Sequence, residues 1–296
     1  MRPDNLRRGA FYIITAAALF AVMGAMVKRV STTLPNEMIV FFRSAIGLLV
    51  LLPWLLHRGA APLRTQRLRS HVLRSLCGLA SMFCFFYAIG HMPLAEAVLL
   101  NYSAPLFMPF VAWLWLGERI SRRLLAAIVL GFVGVALILK PGLALFTPAA
   151  LVGIASGVLA ALAMVGIRGL SRTEPVSRIV FYFSLVCTLV SAIPLWWSWQ
   201  TPAAHLWMLL FSIGACASLA QLAMTRGYGF APAAQIGPFT YATVIFAALL
   251  GWVFWGEVPD VMSVVGATIV CVTGILTIRF GAGRATPVVE GSPAQR

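Results

Sequence analysis

The stretch from Ala95 to Glu118, AEAVLLNYSAPLFMPFVAWLWLGE, occurs twice in the chain. Ala234 to Glu257 reads AQIGPFTYATVIFAALLGWVFWGE, at a constant offset of 139 residues. Counted from Gly90 and Gly229, eight of 29 aligned positions are identical: Gly90/Gly229, Pro93/Pro232, Ala95/Ala234, Tyr102/Tyr241, Phe107/Phe246, Trp113/Trp252, Gly117/Gly256 and Glu118/Glu257. The shared Gly, Pro, Trp and Glu carry the match, because apolar composition alone supplies chance Leu and Ala identities. A period this long marks two copies of one structural unit. Each copy is apolar through its middle, reaches Trp near its end and closes on Gly-Glu. That is the pattern of a membrane-spanning helix with an aromatic interface belt.

The rest of the chain agrees. It is 61% hydrophobic and 10% charged, against about 25% charged for a soluble domain. Uncharged runs of about 18 residues or more recur, and each reads as a bilayer span. A net charge of +14 would suit a nucleic-acid partner, but the arginines sit between the runs, where membrane topology puts them. No nucleic acid is expected; the partners are the lipid bilayer and a small solute. Cys77, Cys84, Cys187, Cys216 and Cys271 all fall inside apolar runs with no CxxC pair, which reads as buried thiols.

Ten spans are expected, at about 10–28, 37–56, 74–90, 95–116, 122–139, 148–168, 178–198, 205–225, 234–256 and 260–279. Residues 1–9 form a basic head, 10–140 the first five-helix repeat, 148–280 the second, and 281–296 a Gly-, Pro- and Ala-rich disordered tail. The first span is not a cleaved signal, because Lys28-Arg29 follows it in place of a small-residue site. With the N-terminus in the cytoplasm, 18 basic residues lie on the inner side and three, Lys28, Arg29 and Lys140, on the outer. The positive-inside rule favours that orientation, with both termini cytoplasmic. Five spans per repeat is an odd number, so the halves insert inverted, an arrangement typical of secondary transporters.

Arg43 is the charge inside a span, about six residues from its outer end and so roughly 9 Å deep. It is either functional or a snorkelling residue. Its repeat equivalent is Tyr182. Glu37 and Glu96 are at a depth where either could pair with Arg43. Glu96, Asn101 and Tyr102 in the first copy match Gln235, Thr240 and Tyr241 in the second, at mirrored depths. They line a pathway or hydrogen-bond between helices. Pro105, Pro109 and Pro238 fall inside these spans and free backbone carbonyls or simply kink the helices. Tyr87 belongs to an aromatic group around the same region, and Gln221 is a further lining or bridging candidate. Glu118 and Glu257 read as interface and cap residues. His57, His71, His91 and His205 fall in loops or at span edges. No GxxxxGK[ST] and no HExxH or Cys/His cluster occurs, so neither a cofactor nor a metal is expected.

The ten spans, the two repeats, PLxEAxxLNYxxPLF…LGER in the first copy and PxxxxPFTYxxxxF…WGE in the second resemble the EamA-type drug/metabolite transporter family. The resemblance covers about residues 9–280, with Val258-Pro259 in the second copy where the first has Arg119. It implies an all-α integral membrane protein of ten helices in two inverted five-helix repeats, in the bacterial inner membrane. It implies a secondary transporter working by alternating access and not an enzyme. The solute would be a small polar or zwitterionic metabolite: an amino acid, an amino-acid derivative or an amino-acid-derived metallophore. Most members export, and some import, so an importer or exchanger stands as the alternative. A membrane-embedded enzyme on a lipid-linked substrate would need a His, Asp or Glu cluster at one face, and the sequence has none.

Overall fold

The computed structural model describes residues 6–58, 64–116, 122–139, 147–170, 173–228, 230 and 237–282. Among these every regular element is a helix. The helices are α1 (Leu6–Val30), α2 (Asn36–Arg58), α3 (Leu68–His91), α4 (Leu94–Asn101), α5 (Ala104–Leu116), α6 (Arg122–Leu139), α7 (Pro148–Leu170), α8 (Val176–Ala192), α9 (Leu195–Ser198), α10 (Ala204–Tyr228), α11 (Ala242–Trp255) and α12 (Val261–Ala282), with a 3-10 turn at Gly237–Tyr241 before α11. Five segments among the described residues are long and apolar enough to cross a membrane: Leu6–Val30, Leu68–His91, Leu94–Val111, Pro148–Ile167 and Ala204–Met224.

Helix occupies each of the ten expected segments, with four differences. The segment expected at 95–116 is two helices, broken at Tyr102-Ser103. The one at 178–198 ends at Ala192, where Pro194 stops it and only the single turn α9 follows. In the one at 234–256 the described residues open with a 3-10 turn. The one expected to start at residue 74 starts at Leu68, which draws His71 and Arg74 out of the loop and into the bundle. The expected basic head through residue 5, the loops around Glu118 and Lys140, and the tail beyond Ala282 lie outside the described residues.

The two repeats interlock. The most extensive packing joins α3 to α7, α1 to α10 and α6 to α12, followed by α2 against α8, α1 against α11 and α10 against α2. The pattern is closed under exchange of the repeats: α1 on α10 corresponds to α7 on α3, α1 on α11 to α7 on α5, and α2 on α10 to α8 on α3. In α6 and α12 the backbones nearly touch. A Cβ built on Gly134 would lie 2.9 Å from the Gly266 carbonyl oxygen, and one on Gly266 would lie 2.6 Å from that of Gly134. Gly131 meets Thr273 further along. Rising numbers in α6 meet falling numbers in α12, so these helices run antiparallel. The start of α2 also meets the segment after α9, where the Gln200 N–H donates to Met38 Sδ at 3.4 Å. Small residues allow such approaches, and dispersion between backbones then holds helices that gain nothing from hydrophobicity in lipid. The core is contiguous, running from Ala21 and Val27 through Ile39, Phe86 and Leu100 to Ile213 and Val270.

Candidate substrate pathway

The repeated tyrosines mark where helices break. Tyr102 ends α4 with φ −75° and ψ 0°, its N–H bonded to the Val98 carbonyl. Ser103 Oγ donates to the Leu100 carbonyl at 2.6 Å and closes that end. α5 then restarts with Pro105 in its first turn, where a missing N–H costs nothing, and carries Pro109 within it. At the equivalent place in the second repeat, Tyr241 closes the 3-10 turn and α11 begins. The Tyr102 hydroxyl and Thr243 Oγ1 are hydrogen-bonded at 3.3 Å, and Thr243 Oγ1 also donates to the Thr240 carbonyl at 2.8 Å. One break of each repeat is thus tied to the other. Interrupted helices at matching positions in two halves are where transporters of this architecture build their solute sites.

Several of the expected lining residues make contacts between helices. Tyr241 is 6% exposed, and its hydroxyl occupies the space a Cβ on Gly274 would need. Its ring fills a glycine notch in α12, so it is core. Asn101 Nδ2 donates to Ser156 Oγ at 3.2 Å and lies 3.4 Å from Ser81 Oγ. Ser81 donates in turn to the Ser156 carbonyl. The three polar residues bond α3, α4 and α7 together. Glu96 accepts from Ser263 Oγ at 2.9 Å, which binds α4 to α12. The expected resting pair of Glu96 or Glu37 with Arg43 is not formed. Tyr87 stacks on His91 one turn later, with centroids 4.1 Å apart. Gln221 sits half-buried on α10 and Thr240 in the 3-10 turn. Gln235 lies outside the described residues.

Arg43 meets a residue the sequence had assigned to a loop. Its guanidinium carbon stands 5.9 Å from the centre of the Phe183 ring, and that of Arg74 stands 4.0 Å from the same ring. Cys187 lies close enough to interact with both cations, and the cations with each other. Three helices converge here: α2 supplies Arg43, α3 Arg74, and α8 Phe183 and Cys187. Arg43 Nε and Arg74 Nε and Nη1 are buried without a hydrogen-bond partner. Among the described residues the ion pairs are elsewhere. Two glycines make room: a Cβ on Gly78 would fall 2.9 Å from Phe183, and one on Gly166 would fall 3.1 Å from the Arg74 stem. The sequence signal for Arg74 was helical spacing. His71, Ser75, Leu79, Met82 and Phe86 form one buried face of α3, and Arg74 flanks it.

One turn before Arg74, buried His71 packs on Tyr182 with centroids 4.7 Å apart and places Nε2 3.8 Å from Glu174. His71 is thus interior rather than at a span edge. Glu174 accepts from Thr65 Oγ1 at 2.7 Å and from Arg178 Nη1 at 2.6 Å, joining the two repeats at this end of the bundle. Burial pushes the Glu174 carboxyl up, but the bonds from Thr65 and Arg178 and the Arg178 charge outweigh it, so it is held below the ordinary carboxylate range.

The opposite end carries the Gly-Glu motif. Gly256 ends α11 at φ +65°, a left-handed turn that glycine makes without strain. The turn folds Glu257 back over Gly251. Glu257 Oε2 then accepts the Leu94 N–H at 2.8 Å, which satisfies the start of α4, and Oε1 pairs with Lys28 of α1. Lys28 also donates to the Met92 carbonyl at 2.9 Å and lies 5.4 Å from the Trp255 ring centre. Glu257 is a cap and interface residue as expected, though the helix it caps belongs to the other repeat. Among the described residues no group of three His, Cys, Asp or Glu is arranged to hold a metal, and the five cysteines are free thiols.

Two segments, residues 7–140 and 147–280, each match the family model described as the EamA-like transporter family. The chain is 39% identical to the Pseudopaline exporter CntI of Pseudomonas aeruginosa over 95% of its own length and 99% of that protein. It is 29% identical to a riboflavin transporter of Vibrio cholerae, over 92% of each chain. It is 27% identical to an S-adenosylmethionine uptake transporter of Rickettsia bellii, over 83% and 84%. A protein of known crystal structure, 22% identical, superposes with a TM-score of 0.65 over 93% of this chain and 98% of that one; at that identity it bears on the fold alone.

Proposed function

The chain belongs to the EamA-like transporter family, and from that premise we propose that it exports a small, carboxylate-bearing polar metabolite across the bacterial inner membrane by alternating access. That it is a membrane transporter and not an enzyme follows from the family itself. The observation that carries the export reading is the near full-length likeness to a transporter named as an exporter, of pseudopaline. The amino-acid-derived metallophore class is accordingly the first solute class to test. We further propose ten spans in two inverted repeats with both termini cytoplasmic. The antiparallel contact of α6 with α12 and the excess of basic residues in alternate loops support that arrangement.

On this topology the Lys28–Glu257 knot lies at the outer end and the Glu174 cluster at the inner end. Arg43 is the carboxylate ligand, reached from the inner side past His71 and Tyr182. Tyr102, Thr240 and Gln221 flank the route where the helices break. The second reading, import or exchange, is favoured by the uptake role in the name of the Rickettsia relatives. The test is solute flux in proteoliposomes containing this protein alone. Vesicles with inside-out protein, given a labelled metallophore-type amino-acid derivative, should accumulate it against its gradient when the driving ion gradient is imposed. Flux only in the opposite sense would establish uptake, and chemical conversion of the solute would sink the transporter reading.

A further inference from the structure

Arg43 and Arg74 share one aromatic ring, and among the described residues no carboxylate pairs with either. Two cations in a low-dielectric interior, with three buried donor nitrogens unbonded, are costly to hold. The Phe183 quadrupole offsets part of that cost. The side chains are nevertheless seated: Gly78 admits the Phe183 ring beneath Arg74, and Gly166 admits the Arg74 stem. A cluster placed this way and left incomplete is complementary to something brought in from outside. Each guanidinium presents a planar fork of donors that matches a carboxylate in a bidentate fashion. One carboxylate would satisfy one fork and leave the second cation buried and unpaired.

We infer that Arg43 and Arg74 together form a two-carboxylate recognition site, which admits solutes bearing at least two carboxylates, one on each guanidinium across Phe183. The inference rests on the proposed transport of a carboxylate-bearing metabolite and narrows its substrate class. It also assigns a role to Arg74, a residue that hydropathy places outside the membrane. Amino acids with a single carboxylate would be poor solutes, and condensed amino-acid derivatives that retain several carboxylates would be good ones.

The test is ligand-induced thermal stabilisation of the purified protein in nanodiscs at fixed ionic strength. The probes are glutarate, its monoamide, its diamide and inorganic phosphate. Wild type should rise in melting temperature with glutarate, much less with the monoamide and not at all with the diamide. Arg74→Met should weaken glutarate binding about 10- to 100-fold, the loss of one charge-assisted pair, and leave glutarate and the monoamide indistinguishable. It should also raise the melting temperature of the unliganded protein, because it removes an unpaired buried cation; an arginine present only for packing would lower it. Arg74→Lys keeps the charge and most of the stem, covers the case in which the Met variant does not fold, and should likewise lose the preference for two carboxylates. Equal stabilisation of wild type by glutarate and monoamide overturns the inference, as does phosphate matching glutarate or an Arg74→Lys variant that keeps the wild-type preference. Nanodisc binding is independent of vesicle flux. Selective binding without flux would refute the transport reading alone, and flux without selectivity would refute this inference alone.

Discussion

Replacing Glu257 by Ala should remove two supports at once. The Lys28–Glu257 pair has side-chain exposures of 11% and 21%, so it lies between the surface case, worth about 0–1 kcal/mol, and the fully buried case, where losing one partner costs about 3–5 kcal/mol. About 2–3 kcal/mol is the reasonable middle. The Leu94 N–H loses its acceptor as well, for about 1 kcal/mol more. For a chain of this size each kcal/mol moves the melting temperature by about 2–4 °C, so Glu257→Ala should melt roughly 6–16 °C lower. Glu257→Gln keeps an oxygen for Leu94 and loses only the charge, so it should fall by the ion-pair share alone. Intrinsic tryptophan fluorescence is a suitable readout, since Trp255 lies beside Lys28. The decisive measurement is the double-mutant cycle of Lys28→Met with Glu257→Gln. A coupling energy below about 0.5 kcal/mol would show that the two charges act independently and would refute the knot.

Gly266→Val should force α12 away from α6, because even a Cβ there would meet the Gly134 carbonyl at 2.6 Å; a loss of about 1–3 kcal/mol, seen as a lower melting temperature and reduced membrane abundance, is expected. Glu174 has a lowered carboxyl pKa, so its contribution is complete above the unfolded value of about 4.3 and is lost as pH falls through the lower native value. The melting temperature of wild type should therefore fall more steeply below pH ~4 than that of Glu174→Gln, and parallel acid branches would refute the contact. For topology, Thr33→Cys and Thr201→Cys should react with an impermeant thiol reagent in intact cells, whereas Gln66→Cys should react only after permeabilisation; identical labelling of all three would refute the inverted ten-span arrangement.

Helix positions and the repeat were legible because they depend on local composition. Apolar runs of span length, Pro93 in a connection and Gly256 after a tryptophan each act through the chain near them. The breaks at Tyr102 and Tyr241 were signalled by Pro105, Pro109 and Pro238, but a proline in a membrane helix bends or breaks it according to what its neighbours satisfy. Here Ser103 and Thr243 decide the outcome. Asn101 and Tyr241 read from the sequence as pathway lining or as bonds between helices, because a polar side chain at mid-depth does not disclose its partner. Ser156 and Gly274, the residues that absorb them, lie 55 and 33 positions away. Arg74 was missed for a related reason. Hydropathy starts a helix where the charges stop, whereas α3 starts six residues earlier and carries two arginines with it. Only the convergence of α2, α3 and α8 gives that charge its surroundings.

The exchange of partners between the repeats has a consequence in time. α1 finds its main neighbour in α10, and about 170 residues separate the end of one from the start of the other. At a synthesis rate of about 5–20 residues per second, α1 waits in the bilayer for roughly 10–35 s before that neighbour emerges. Throughout that interval the face of Gly9 and Ile13, which meets Gly227 of α10 in the finished protein, is open to lipid or to any other helix with a matching groove. α3 waits less long for α7. The first five-helix unit is therefore held as an unfinished half during each round of synthesis, and the chain commits to its final packing only once α10 has entered.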